Sequence, residues 1–120
     1  MNARETAQAA RARRVAAVDC GTNSIRLLIS EIDPDTGAVS EIARRNTIVR
    51  LGQGVDETGR FHAEAIQRAG EALEEYVTEM EREGVTRLRM VATSATRDAA
   101  NREEFFAMSR DVLGRIQPGA

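Results

Sequence analysis

The sequence has no tryptophan, one cysteine, one histidine, two prolines and only 3% aromatic residues over its 120 positions. A lone cysteine excludes an internal disulfide, so the fold has to be held by its apolar core. Cys20 lies inside an apolar run, which fits a small buried side chain in a reducing compartment. It is no candidate nucleophile, because no histidine lies near it in the chain and apolar surroundings raise a thiol pKa. No stretch approaches the ~20 apolar residues of a membrane span. The opening "MNARETAQAARARR" has arginines with no apolar segment behind them, unlike a secretory signal. The expected location is the cytoplasm. There is also no excess of one charge: 17 basic residues face 19 acidic ones, for a net charge of −2. Nothing here calls for a nucleic-acid partner or a polybasic membrane patch, and any phosphate has to be met locally.

What is present is enough for one soluble domain, with 42% hydrophobic residues to build a core. Residues 1–13 carry no anchored apolar stripe and read as a mobile tail. Residues 14–120 are the ordered part. "RVAAVDC" and "SIRLLISEI" are rich in Val, Ile and Leu and predict two strands, apolar on both faces, as in a sheet covered on both sides. "DPDTG" (Asp33 to Gly37) supplies a turn, and "AVSEIARRNTIVRL" a third strand, giving an antiparallel meander. "GQGVDETGR" has three glycines and no periodicity, so the sheet pauses there. From His62 to Glu83 the spacing becomes helical. Ile66, Ala69, Leu73, Tyr76, Val77 and Met80 share a stripe; Glu64, Arg68, Glu71, Glu75, Glu79 and Arg82 form a solvated face, and Gly84 ends the helix. "RLRMVAT" predicts a fourth strand, parallel to its partner because a helix precedes it. After the polar corner "SATRDAAN", Asn101 with Glu104 resembles a capping box opening a second helix with Phe105, Phe106, Met108, Val112 and Leu113 inward. His62 falls in a helix-capping slot and is assigned no catalysis.

The order is thus β-β-β-α-β-α. A parallel strand with an open edge wants another βα neighbour, and none follows, so residues 1–120 are expected to be the opening portion of a longer chain. An uncovered edge could also drive pairing into a homodimer.

One stretch stands out. In "AVDCGTNSIRLL" a good strand breaks at Gly21, Thr22, Asn23 and Ser24 and then resumes. A plain hairpin explains it if Gly and Asn reach positive φ. The alternative is an anion nest, in which consecutive backbone N–H groups converge on an oxyanion and small hydroxyl and amide side chains let it approach.

Three motifs, "VDCGTNSIRLLI" (Val18 to Ile29), "RLGQGVDETGRF" (Arg50 to Phe61) and "MVATSATRDAANREEFF" (Met90 to Phe106), resemble in order and spacing the N-terminal part of the exopolyphosphatase and guanosine-pentaphosphate phosphohydrolase family, in its actinobacterial form. The resemblance implies an α/β fold of the actin-like ATPase, ribonuclease H-like type: a mixed sheet with a meander plus a parallel strand, cut before its last strand. It implies that Gly21 to Ser24 are the first phosphate loop, touching terminal phosphates of polyphosphate or guanosine pentaphosphate. Asp19 would orient that loop or hold Mg²⁺ through water, and Arg97 would fork onto phosphate oxygens. Without the resemblance, Asp19 is a turn cap and Arg97 a solvated charge. Ser94 is a weaker candidate, and so is Asn101. Thr22 replaces the commoner serine and keeps the hydroxyl.

The resemblance also implies a water-activating glutamate and a second phosphate loop, and this sequence matches neither motif. The chain is therefore expected to hold no catalytic residue of its own and to be inactive alone, while the longer protein hydrolyses phosphoanhydrides with Mg²⁺. Two rival readings keep the fold: a non-catalytic regulator or scaffold that binds phosphorylated nucleotides, and a kinase-like, ATP-binding relative.

Overall fold

The computed structural model of the protein describes residues 13–117. Apart from Arg13, the tail expected at residues 1–13 lies outside the described residues. The elements run β1 (Arg13–Cys20), β2 (Ser24–Ile32), β3 (Val39–Ile48), α1 (Val55–Thr58), α2 (Ala63–Arg82), β4 (Arg87–Ala92), α3 (Ser94–Asp98) and α4 (Arg102–Leu113). One sheet orders them β3-β2-β1-β4. β1 and β3 flank β2 antiparallel, and β4 lies parallel to β1. The meander and the parallel return after a helix are both as expected from the sequence.

Strand alternation builds one core. Ala16, Val18 and Cys20 of β1 face the same side as Ile25, Leu27 and Ile29 of β2, all buried. From α2 they meet Ala65, Ala69, Leu73, Tyr76, Val77 and Met80, and from α4 Phe105, Val112 and Leu113. Each fully buried Leu, Ile or Met contributes about 1.5–3 kcal/mol, which is where the stability of such a small unit comes from. Tyr76 has a polar handle as well: its hydroxyl donates to the Ile25 carbonyl at 2.6 Å and meets the Thr47 hydroxyl at 2.7 Å, tying α2 to the sheet.

The expectation that the central strands are covered on both faces is corrected. Ala17, Asp19, Arg26, Arg89 and Val91 point to the opposite side, and all are exposed. An apolar-looking run here is an alternating strand whose outer positions happen to include Ala17 and the half-buried Leu28.

Two stretches read as loops contain single helical turns. α1 sits between Gly54 and Gly59, whose φ values of 79° and 71° are left-handed, so glycine both starts and stops it. α3 is capped by Thr93, whose side chain accepts from the Thr96 N–H. The capping box expected at Asn101 is also corrected. Asn101 makes no cap bond to α4; its carboxamide is turned to Phe61, although Glu104 does reach its Nδ2 at 3.4 Å. His62 occupies the N-cap of α2 without a side-chain cap bond.

Candidate phosphate site

Cys20 ends β1 and Ser24 begins β2, so Gly21, Thr22 and Asn23 form the corner between them. The Gly21 N–H donates to the Ser24 carbonyl at 2.9 Å. That amide is spent on closing the bend, which narrows the expected four-amide nest. A Cβ on residue 21 would lie 3.2 Å from the Ser24 oxygen, so glycine suits the tight corner. No residue of the corner has positive φ, so the hairpin bend closes without a left-handed Gly or Asn.

The next two residues behave differently. The Thr22 and Asn23 N–H groups have no acceptor among the described residues. Their carbonyls are tied down: the Asn23 oxygen accepts from Val49 and Arg50, each at 2.9 Å, and the Thr22 oxygen from Gly52 at 2.7 Å. The segment after β3 is thereby stitched to the corner, and the carbonyl ends of Thr22 and Asn23 are held while their amides stay unpaired. Gly52 permits the approach, since a Cβ there would come within 3.2 Å of Thr22 Cβ.

Between these two segments lies a cavity of about 420 Å³. Thr22 and Asn23 line one part, and Arg50, Gly52 and Gln53 another. Val55, Phe61 and Thr96 complete it, and among the described residues Arg50 is the only charged one lining it. Phe61 is fixed from behind. Asn101 Oδ1 accepts from the Phe61 N–H at 2.8 Å, Nδ2 donates to its carbonyl at 3.1 Å, and the Phe105 ring packs at 5.8 Å. Thr96 is buried and its hydroxyl lies 3.2 Å from that of Thr93.

The candidates from the sequence separate accordingly. Thr22 and Asn23 line the cavity; Gly21 shapes the corner, and Ser24, half-buried, opens β2. Arg97 is exposed, one residue past Thr96, and its guanidinium has no hydrogen-bond or ion-pair partner among the described residues. Asp19 is exposed on the outer sheet face, opposite Arg26 in the β1–β2 register. Arg50, Gln53 and Thr96 were not singled out by the sequence, although "RLGQG" and "TSAT" contain them. Arg68, assigned to the solvated face of α2, instead donates from Nε to the Val49 carbonyl at 2.7 Å and from Nη2 to Gln53 Oε1 at 2.9 Å. It positions the second segment.

Burial pushes the Cys20 thiol up to about 12, with the Asp19 charge adding to the effect, so it is inert at neutral pH. Among the described residues no group of three or more His, Cys, Asp or Glu side chains could hold a metal. Asp19 is the carboxylate nearest the corner in sequence, on the outer sheet face. One carboxylate fits Mg²⁺, which keeps most of its waters and takes phosphate oxygens for the rest.

Residues 28–117 match the profile of the Ppx/GppA phosphatase family. The chain belongs to this family. Among curated relatives, Exopolyphosphatase 2 of Mycobacterium tuberculosis is 54% identical over 109 residues, covering 89% of this chain and 34% of that protein. A bifunctional 3-dehydroquinate synthase/phosphatase of Fusobacterium nucleatum is 36% identical over 95 residues, 75% of this chain and 14% of its own. The crystal structure of the Aquifex aeolicus Ppx/GppA family member superposes with a TM-score of 0.76 at 38% identity, over 91% of this chain and 33% of that one. The fold is a partial N-terminal unit of the actin-like ATPase type in this Ppx/GppA chain. The chain spans about a third of the length of the M. tuberculosis and A. aeolicus proteins it matches. Among the described residues no helix is long and apolar enough to cross a membrane.

Proposed function

We propose that this Ppx/GppA chain supplies one side of a phosphate cradle for hydrolysis of a terminal phosphoanhydride, in inorganic polyphosphate or guanosine pentaphosphate. One observation carries the reading: Thr22 and Asn23, whose amides are unpaired, line a cavity in which, among the described residues, the only charged one is Arg50. Backbone N–H groups with their carbonyls anchored elsewhere are fixed donors, and a partly enclosed site makes each bond to an oxyanion stronger than it would be in water. The Thr22 hydroxyl adds a further donor, and Arg97, one residue past the cavity-lining Thr96, is the candidate for a second, forked contact.

Asp19 is the chain's candidate for Mg²⁺. When bound, the ion neutralises phosphate charge and polarises the bond to be broken. What the chain's own residues do is bind and orient. Among the described residues that line the cavity there is no carboxylate or imidazole to take a proton from water, and the chain alone is proposed to bind without turnover. A cytoplasmic setting belongs to the same proposal.

Incubation of the 120-residue chain with long-chain polyphosphate and Mg²⁺, followed by a phosphate-release assay, tests this. Negligible release is expected, together with saturable binding of the polymer. Clear Mg²⁺-dependent turnover contradicts the division of labour, and absence of binding contradicts the cradle.

A further inference from the structure

Arg50 is the only non-glycine residue with positive φ among the described residues, at 52°. Side chains other than Gly and Asn resist this conformation, so something must hold it there. The holding is visible. The Arg50 N–H is bound by the Asn23 carbonyl, its own carbonyl lies 3.4 Å from Arg68 Nη2, and the residues on either side are pinned by Asn23, Thr22 and Arg68. The same contacts fix the register between this turn and the Thr22–Asn23 corner. The guanidinium itself makes no hydrogen bond or ion pair among the described residues, and Arg50 is the only charged one of them that lines the cavity. A strained backbone, an unpaired cation and a wall shared with two unpaired amides coincide at one residue.

We infer that Arg50 is a second anion ligand of this cavity, taking the phosphoryl group next along from the one held at Thr22 and Asn23, so that the site favours condensed phosphates over orthophosphate. The inference rests on the phosphate reading of the corner. Its physical basis is that a guanidinium forks onto two phosphate oxygens, and that a linear polyanion presents a second such group where orthophosphate presents none. Arg68 is the positioning residue: by binding the Val49 and Arg50 carbonyls it keeps the turn's oxygens engaged on α2.

Arg50→Gly is the informative variant, because glycine removes the guanidinium and relieves the positive φ, so it should fold at least as well as the parent. Orthophosphate and tripolyphosphate are titrated into the 120-residue chain and the variant, with amide NMR and calorimetry as readouts. In the parent, tripolyphosphate should bind at least tenfold tighter than orthophosphate, with both shifting Thr22 and Asn23. In Arg50→Gly that preference should shrink at least tenfold while the orthophosphate response persists, and Arg50→Lys should recover part of it. Orthophosphate shifts with an unchanged tripolyphosphate preference in Arg50→Gly would overturn the role of Arg50 alone. No shift at Thr22 and Asn23 with either anion would overturn the corner reading, and the Arg50 inference with it.

Discussion

The side-chain amide of Asn101 is bonded to both backbone groups of Phe61, 2.8 Å to the N–H and 3.1 Å to the carbonyl, across 40 residues of sequence. A planar carboxamide with one donor and one acceptor edge imitates a strand partner here. It fixes the chain where the last glycine turn of the 52–60 segment enters α2, and it holds Phe61 against the cavity.

Replacing that group leaves a part-buried N–H without its acceptor. Asn101→Ala should destabilise the chain by about 1–3 kcal/mol, and Asn101→Asp, which keeps the acceptor but sets a carboxylate oxygen against the Phe61 carbonyl and Glu104, by at least as much. Urea unfolding followed by circular dichroism reads both. Equal stability of Asn101→Ala and the parent would mean that solvent replaces the pair at no cost.

Gly54 has φ 79°, and a Cβ there would come within 2.1 Å of His62 Nε2. The imidazole is the far end of an exposed side chain and can swing aside, whereas the backbone cannot leave the left-handed region without breaking the start of α1. Gly54→Ala is therefore expected to cost about 1–2 kcal/mol. Most of that cost should persist in a His62→Ala background. Thermal melts of the two singles and the double separate the terms; complete rescue by His62→Ala would assign the cost to the clash.

Cys20 makes stability fall in alkali. Its folded pKa of about 12 lies above the ordinary 9.0, so above pH 9 the unfolded thiol ionises while the folded one keeps its proton. This contribution is complete below pH 9 and is lost progressively as pH rises towards 12, at up to about 1.4 kcal/mol per unit. Burial raises Tyr76 in the same direction, which adds a parallel loss. The difference between parent and Cys20→Ala isolates the thiol: their unfolding free energies should converge with pH between 9 and 11. Parallel curves would contradict the inert, buried thiolate precursor.

Much of this was legible in the sequence, and the exceptions share a cause. The strands, the α2 stripe through Leu73, Tyr76, Val77 and Met80, and the parallel return of β4 follow from local periodicity, and the structure has all of them. Arg68 looked solvated because periodicity gives its face on α2, and says nothing of loop carbonyls 15–19 residues earlier that fold over it. Asn101 looked like a cap because Asn-x-x-Glu spacing is the same whether the amide turns inward to its own helix or across to Phe61. At the corner, the small polar residues pointed to Thr22 and Asn23, but that Gly21 closes the bend, and that Arg50 lines the same cavity, are tertiary facts. Thr96 was hidden for the same reason, being placed by α3 after β4.

The most direct test of the account is an amide NMR titration of the 120-residue chain with inorganic phosphate at constant ionic strength, with chloride as the control. The account predicts saturable shifts centred on the Thr22 and Asn23 N–H signals, with Gly21, whose amide is committed to Ser24, responding less. Shifts no larger there than with chloride, or spread evenly over exposed arginines, would contradict it.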